Sequence, residues 1–218
     1  DAARLMRMAT YASVSVASVL IAAKFAAWMM TGAVSLLSTL IDSLLDVGAS
    51  VLNLFAVRHA LEPADKEHRF GHGKAEALAG LAQSAFIFGS ALFLVIEAGE
   101  RFFNPRDIEN TAVGFGVMGL AIVLTLVLVL FQRHVVQRTG SVAIKADSTH
   151  YRMDLLVNVS VIVSLVLVSN FGWILADPVF ALGIAAYIVW GAWGIGWDAY
   201  QMLMDRELGE AERQKIND

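Results

Sequence analysis

Four ionisable side chains stand within two otherwise apolar stretches of this sequence, with the same spacing in each stretch. Asp42 and Asp46 are four residues apart, and so are His150 and Asp154. Positions four apart on a helix lie one turn apart on the same face, so each stretch would direct two metal-binding side chains one way. Two such helices facing each other would offer three carboxylates and one imidazole, a donor set that suits a tetrahedral zinc-like divalent cation.

Another explanation is that these polar groups only form hydrogen bonds between helices. Ionised groups are costly in the core of a bilayer, however, and those that persist there usually face a bundle interior and serve a function. Three carboxylates without a cation would repel one another, and Arg152 falls ~160° or more around the helix from their face. A metal site therefore explains the four residues better.

Further polar side chains continue the same stripe along the two stretches. They could line a hydrated path, or they could form hydrogen bonds between helices, and the sequence leaves both explanations open. These side chains are Ser38, Ser50, Asn53 and Asn158.

The composition is that of a membrane protein. Hydrophobic residues make up 57 % of the chain and charged residues 17 %, whereas a soluble domain has about 45–50 % and about 25 %. The net charge of −4 is too small to indicate a nucleic acid as partner. Because the sequence has no cysteine, any metal site must use His, Asp or Glu.

Six apolar segments are long enough to cross a bilayer, which takes ~20 helical residues. The sequence therefore predicts an all-α polytopic membrane protein whose first 205 residues form one domain of six transmembrane helices. The charged segment 206–218 is expected to be the start of a truncated C-terminal cytoplasmic domain. The predicted spans are residues 8–30, 34–57, 75–96, 111–131, 142–170 and 179–203.

The distribution of basic residues predicts the orientation of the spans. Six spans place both termini on one side, and the opposite side holds only Arg101 and Arg106. Both termini are therefore expected in the cytoplasm. Lys24 lies in the first span near its outer end, and its side chain is expected to extend to the membrane interface. The basic residues on the side of the termini are Arg4, Arg7, Arg58, Lys66, Arg69, Lys74, Arg133, Arg138, Lys145 and Arg206.

The polar loop between the second and third spans contains a second set of metal-binding residue types. Asp65, His68 and His72 are spaced by three and four residues. They would converge on a helical turn, and they could also converge in a loop interrupted by Pro63 and glycines. Three ligands are enough for an exposed metal site of lower affinity. A polar loop can also contain such residues by composition alone, and the spacing does not decide between the two explanations.

Four stretches of the sequence carry a family resemblance: SLLSTLIDSLLDVGAS, HRFGHGKAEALAG, ADSTHYRMDLLVN and ADPVFALGIAAYIVW. They are spread over most of the chain, and their joint occurrence is highly specific. With them the sequence resembles the cation diffusion facilitator family, in its bacterial zinc/iron efflux branch. The family also has a C-terminal cytoplasmic metal-binding domain, and the sequence is expected to contain only its start.

The resemblance implies a homodimer in the bacterial inner membrane that exchanges cytoplasmic divalent metal for protons from outside. Lys74 resembles a residue that the family pairs with an acid near the end of the sixth span, here Asp205, at the dimer interface. The resemblance also implies a transport site formed by Asp42, Asp46, His150 and Asp154. It implies a separate loop site formed by Asp65, His68 and His72.

The expected function is therefore a metal/proton antiporter that exports Zn²⁺. Cd²⁺, Fe²⁺, Mn²⁺ and Co²⁺ are further candidate substrates, because the same donor set would accept them. The alternative is a metal-gated channel or a metal-sensing membrane protein, in which the site acts as a switch, and a purely structural subunit would bind no metal. An enzyme is not expected, since four protein ligands close a tetrahedral shell and leave no position for a substrate.

Overall fold

Six long α-helices make up the computed structural model, which describes residues 2–31, 34–103, 112–173 and 175–205. No β-strand occurs within those ranges, so the predicted all-α, six-helix architecture is confirmed. The predicted cytoplasmic segment 206–218 and Arg106 lie outside the described residues. The helices are α1 (Ala2–Thr31), α2 (Val34–Ala60), α3 (Lys74–Phe103), α4 (Ala112–Thr139), α5 (Val142–Phe171) and α6 (Ala176–Leu203).

Each helix is long enough to cross a bilayer. The shortest has 27 residues and the longest have 30, which corresponds to about 40–45 Å at ~1.5 Å per residue. By length and composition, α1, α3, α4 and α6 are apolar enough to be membrane spans. The other two helices, α2 and α5, carry the paired Asp and His side chains. These two helices therefore depend most on neighbours that shield their polar groups from lipid.

The connection between α4 and α5 is short because two residues satisfy the ends of both helices. Gly140 has a φ of +68°, and its amide donates to the carbonyl of Val136 at 2.8 Å. Glycine adopts this left-handed conformation without a steric penalty. Ser141 follows directly, and its hydroxyl accepts from the amide of Ile144 at 3.2 Å, which caps the start of α5. The turn thereby fixes where the helix of His150 and Asp154 begins.

α5 is the central helix of the bundle and packs against each of the other five helices. Around it, α1 packs along α2, and α3 forms its most extensive contact with α6. Near the middle of the bundle, α3, α5 and α6 share an apolar cluster that includes Ile87, Met153 and Ile188. A second cluster joins the ends of five helices: Met6, Ala9, Val57, Ala79, Val135, Ala143 and Ile144.

Both described ends of the chain lie at the end of the bundle that also carries the loop of residues 61–73. The second cluster brings the start of α1 against the end of α2, next to that loop. The start of α3 contacts the end of α6, since Lys74 Nζ lies 2.8 Å from Asp205 Oδ2. This agrees with the predicted even number of spans.

Small residues allow α3 to approach α5 and α6 closely. A Cβ added at Gly80 would lie 2.8 Å from Val142 Cγ1 and 3.6 Å from Ala199 Cβ. A Cβ at Gly196 would lie 2.9 Å from the hydroxyl of Ser84. Because real Cβ atoms do not approach other atoms so closely, these glycines set the spacing of the three helices.

We therefore expect Gly80→Ala to destabilise the bundle, and Gly119→Ala serves as the matched control. Both glycines lie within helices, so both variants gain the same helix propensity, but a Cβ at Gly119 meets nothing within 4 Å. Overpacking at Gly80 should cost about 1–3 kcal/mol relative to the control. The midpoint of unfolding in sodium dodecyl sulfate measures the difference. Equal midpoints for the two variants would show that the contact with Val142 does not constrain the packing.

Candidate metal sites

A cavity of about 570 Å³ lies within the bundle, between α1, α2, α3, α4 and α5. Its wall is partly apolar, with Phe86 and Phe93 of α3 among the lining residues. All four predicted transport-site residues line this cavity. Its acidic and basic lining residues are Lys24, Asp42, Asp46, Glu97, His150 and Asp154.

His150 is the centre of a group of three converging ligands. Its side chain is buried, and Nε2 lies 3.0 Å from Asp46 Oδ1 and 3.8 Å from Asp154 Oδ2. One ligand atom from each of the three residues falls within 4.8 Å of the others. Ligands on a tetrahedral zinc ion, at about 2.0–2.2 Å from it, lie about 3.3–3.6 Å apart. The trio therefore needs only small side-chain movements to hold such an ion.

Asp42 lines the same cavity, but its carboxylate lies outside this converging group. One helical turn along α2 separates it from Asp46, and one turn is a rise of about 5.4 Å. The structure thus brings together three of the four residues predicted from the spacing and places the fourth one turn away in the same cavity. The role of Asp42 as the fourth ligand stays a prediction.

Lys24 belongs to the cavity as well, so the expected extension of its side chain to the membrane interface is wrong. Its ammonium group donates to the hydroxyl of Ser43 at 2.5 Å and to the carbonyl of Thr39 at 3.3 Å. Both acceptors lie on α2, on either side of Asp42 along the chain. Sequence spacing could not reveal this counter-charge, because it comes from a different helix.

The residues of the polar stripe lie in different surroundings, and one of them forms a hydrogen bond between helices. Ser50 Oγ lies 2.7 Å from the hydroxyl of Tyr151, which is a hydrogen bond between α2 and α5. Asn158 lines the cavity and donates to the carbonyl of Asp154 at 2.7 Å, within its own helix. Asn53 is buried. The side chain of Ser38 lies outside the described residues.

A fully buried carboxyl group, Asp147, was not singled out from the sequence. Its Oδ2 accepts from the hydroxyl of Ser13 at 2.5 Å and from the amide of Gln132 at 2.7 Å. Tyr151, one turn further along α5, donates to the carbonyl of Ser13 at 3.2 Å. These bonds join α1, α4 and α5, and the bond of Ser50 to Tyr151 adds α2. The signal in the sequence was a second acid on α5, besides Asp154, three residues before His150.

The second predicted set of ligands also converges, although its residues lie in a loop and not on a helix. His68 Nδ1 lies 3.4 Å from Asp65 Oδ1, and His72 Nε2 lies 3.5 Å from Asp65 Oδ2. Ligand atoms of the three residues fall within 4.8 Å of one another. The amides of His68 and Glu67 donate to Asp65 at 2.5 and 2.9 Å and so bend the loop around this carboxylate.

These amide hydrogen bonds also hold the pKa of Asp65 below its ordinary value, because they stabilise the anion, with the amide of His68 making the largest contribution. Asp65 is therefore ionised throughout the neutral range.

Lys74 and Asp205 form the ion pair that the family resemblance implied. Nζ of Lys74 lies 2.8 Å from Asp205 Oδ2 and 3.3 Å from the carbonyl of Leu203. Both side chains are exposed at the end of the bundle, so the pair contributes little to stability on its own.

Comparison with known proteins identifies the class to which this fold and these sites belong. Residues 10–204 match the family described as the cation efflux transmembrane domain. The chain therefore belongs to the cation efflux family, the cation diffusion facilitators indicated by its motifs, and is a multi-pass transporter of divalent cations in the bacterial inner membrane.

Its relatives include the cation-efflux pump FieF of Salmonella paratyphi A, Salmonella agona (strain SL483) and Salmonella choleraesuis (strain SC-B67). Each is 48 % identical over 215 residues, which cover 99 % of this chain and 71 % of the relative.

We expect Asp46→Ala to abolish metal transport and to leave an assembled protein. The substitution removes one of the two carboxylates that face His150, and it also relieves repulsion with Asp154 when no cation is bound. Asp198→Ala is the matched control, since Asp198 is an exposed carboxylate paired with Lys145 and does not line the cavity. Metal uptake into proteoliposomes and elution in size-exclusion chromatography measure the two properties. Wild-type flux in Asp46→Ala would exclude this residue as a ligand.

For the loop, we expect the double variant His68→Ala with His72→Ala to lose one bound metal equivalent and to keep part of the transport activity. Both imidazoles belong to the converging group, but the loop lies outside the helices that form the cavity. Equilibrium dialysis against Zn²⁺ measures the stoichiometry, and the same proteoliposome assay measures flux. An unchanged stoichiometry would contradict a metal site in the loop.

Proposed function

We propose that this chain exports Zn²⁺ from the cytoplasm in exchange for protons, as a homodimer. The observation that carries this proposal is the convergence of Asp46, His150 and Asp154 within a cavity of the bundle. Ionisable groups at this depth face the cavity and not the lipid, as expected of groups that bind a transported ion.

The donor set supports zinc as the substrate. Imidazole and carboxylate ligands together suit Zn²⁺, and Asp42, which lies in the same cavity, completes a four-ligand shell when the ion is bound. The absence of cysteine from the sequence makes the site harder than a thiolate site. Cd²⁺, Mn²⁺, Co²⁺ and Fe²⁺ therefore remain secondary substrates, and availability selects among them.

Proton exchange follows from the chemistry of the ligands. His150 must be neutral and the carboxylates ionised to bind a cation, so protons and metal compete for the same atoms. The intrinsic pKa of histidine, near ~6.5, lies between a neutral cytoplasm and a more acidic exterior. Metal loads from the cytoplasm onto the deprotonated site. Protonation of His150 and one carboxylate from outside releases it, and the protonated site returns inward.

The orientation that this cycle requires is supported by the basic residues of the bundle. The end that carries both described chain ends and the loop also carries most of the basic residues near the spans, which supports a cytoplasmic position for it under the positive-inside rule. The loop ligands Asp65, His68 and His72 then face the compartment from which metal is taken. The exposed pair of Lys74 and Asp205 lies at the same end, and there we place the contact between the two protomers.

Proteoliposome flux measurements with a controlled pH gradient test this function. We expect Zn²⁺ to move against its own gradient when the opposite side is made acidic, with counterflow of protons. A metal-gated channel with the same site would carry metal only down its gradient, whatever the pH gradient. Zn²⁺ movement that stays downhill under every pH gradient would therefore replace the antiporter with the channel.

The variant His150→Asp tests the part of His150 in this coupling. The variant keeps four ligands, but all four then bind through oxygen. The metal preference of the site should therefore shift toward Mn²⁺. Zn²⁺ affinity of the wild type should fall as pH drops from about 7.5 to about 5.5, and the variant should show a different pH dependence. Calorimetric titrations with the loop histidines removed measure both curves. Flat curves, or identical ones, would show that His150 takes no part in proton coupling.

A further inference from the structure

At the end of α2 and in the following loop, three further side chains of metal-binding types converge, which the sequence spacing did not indicate. A ring nitrogen of His59, a carboxylate oxygen of Glu62 and a ring nitrogen of His72 lie within 4.8 Å of one another. His72 also belongs to the group of Asp65 and His68. The two groups therefore overlap at one imidazole.

The backbone at the end of α2 holds His59 and Glu62 together. The amide of Glu62 donates to the carbonyl of His59 at 3.0 Å, which folds the chain back after the last turn of the helix. His59 Nδ1 lies 2.8 Å from Glu62 Oε2. A histidine that ligates a metal usually has its other ring nitrogen bonded to such an acceptor, which fixes the ring and raises its basicity.

The burial of His72 is unusual for a residue in a solvated loop. Its side chain is only 5 % exposed, and its ring centroid lies 4.4 Å from that of His59 and 4.6 Å from that of His68. Its Nδ1 is buried without a hydrogen-bond partner among the described residues. A buried nitrogen seldom lacks a hydrogen-bond partner. One physical reason for such an exception is that the nitrogen binds a metal ion.

We propose that His59 and Glu62, together with His72, form a second binding position for Zn²⁺ or a similar divalent cation. This position shares His72 with the loop site of the proposed function, on which the inference rests. Because both positions need the same imidazole, one ion occupies one or the other, and it can pass between them without returning to solvent.

A simpler explanation is that His59 and Glu62 form only an ion pair at the end of a helix. Their side chains are 52 % and 58 % exposed, and an exposed pair of this kind contributes little to stability. The ion pair alone leaves the contact of His59 with His72 and the unpartnered Nδ1 of His72 unexplained. The two explanations differ in whether the cluster keeps a metal ion after Asp65 and His68 are removed.

The experiment uses the full chain with Asp46→Ala and Asp154→Ala, so that zinc bound in the cavity does not obscure the loop. Zn²⁺ alone is the probe. Equilibrium dialysis with elemental analysis gives the bound equivalents, and competition with a chromophoric chelator gives the affinity. Circular dichroism and size-exclusion chromatography check that each variant is folded.

In this background we expect one bound zinc per chain. Adding Asp65→Asn and His68→Ala should keep that zinc and weaken its affinity by about tenfold or more. Adding His59→Ala to that variant should remove the zinc. Adding His134→Ala instead should change nothing, because His134 is an exposed histidine of α4 outside both groups.

Three other results would overturn the proposal, and they are distinguishable. If Asp65→Asn with His68→Ala already removes all bound zinc, the loop has one position only and the loop site of the proposed function still stands. If His59→Ala has no more effect than His134→Ala, His59 is not a ligand. If the background with an intact loop binds no zinc, both loop positions are wrong.

The variant Glu62→Gln tests the contribution of the carboxylate separately from that of His59. In the variant that lacks Asp65 and His68, it should weaken zinc binding further. Glu67→Gln is the matched control, since the side chain of Glu67 is exposed in the same loop and belongs to neither group. Equal affinities for these two variants would show that Glu62 does not ligate the ion.

Discussion

The candidate metal site within the bundle depends on the convergence of one buried imidazole and the two carboxylates that face it. His150 has Nε2 within 4 Å of both Asp46 and Asp154, at a depth where ionised groups are tolerated only when they are paired or solvated. The remaining helices make that arrangement possible, because they keep these polar groups away from lipid. Four apolar helices surround α2 and α5, and α5 packs against all of its neighbours. The cavity supplies the polar environment that lipid cannot.

Much of this arrangement could be predicted from the sequence, because helical periodicity and hydropathy are local properties. The spacing puts Asp42 with Asp46, and His150 with Asp154, on one face of a helix each, and three of these four residues converge. The prediction for Lys24 was wrong, because the position of this side chain depends on a neighbouring helix. Lys24 reaches α2 because α1 packs beside it, and no spacing within α1 contains that information.

The two candidate sites hold similar ligands in different surroundings. Asp46 and Asp154 converge on His150 inside an apolar bundle, so the movement of helices can change their distances together. Asp65 and His68 are exposed in a loop that their own backbone hydrogen bonds shape, and only His72 of this group is buried against the bundle. Under the proposed function, the interior site must release its ion again, which a movement of the helices would allow.

The hydrogen bonds around Asp147 have a consequence for how this sequence can diverge. Ser13 and Gln132 donate to one oxygen of Asp147, and Tyr151 donates to the carbonyl of Ser13, all at full burial and on three helices. Loss of one partner leaves buried polar groups without a hydrogen bond, which costs about 1–3 kcal/mol of stability. Simultaneous replacement of all partners by apolar groups of the same shape is nearly neutral. These positions should therefore change together in evolution. Relatives that lack the acid at position 147 should also lack the serine at position 13 and the glutamine at position 132. Related sequences that keep Ser13 and Gln132 beside an apolar residue at position 147 would refute this covariation.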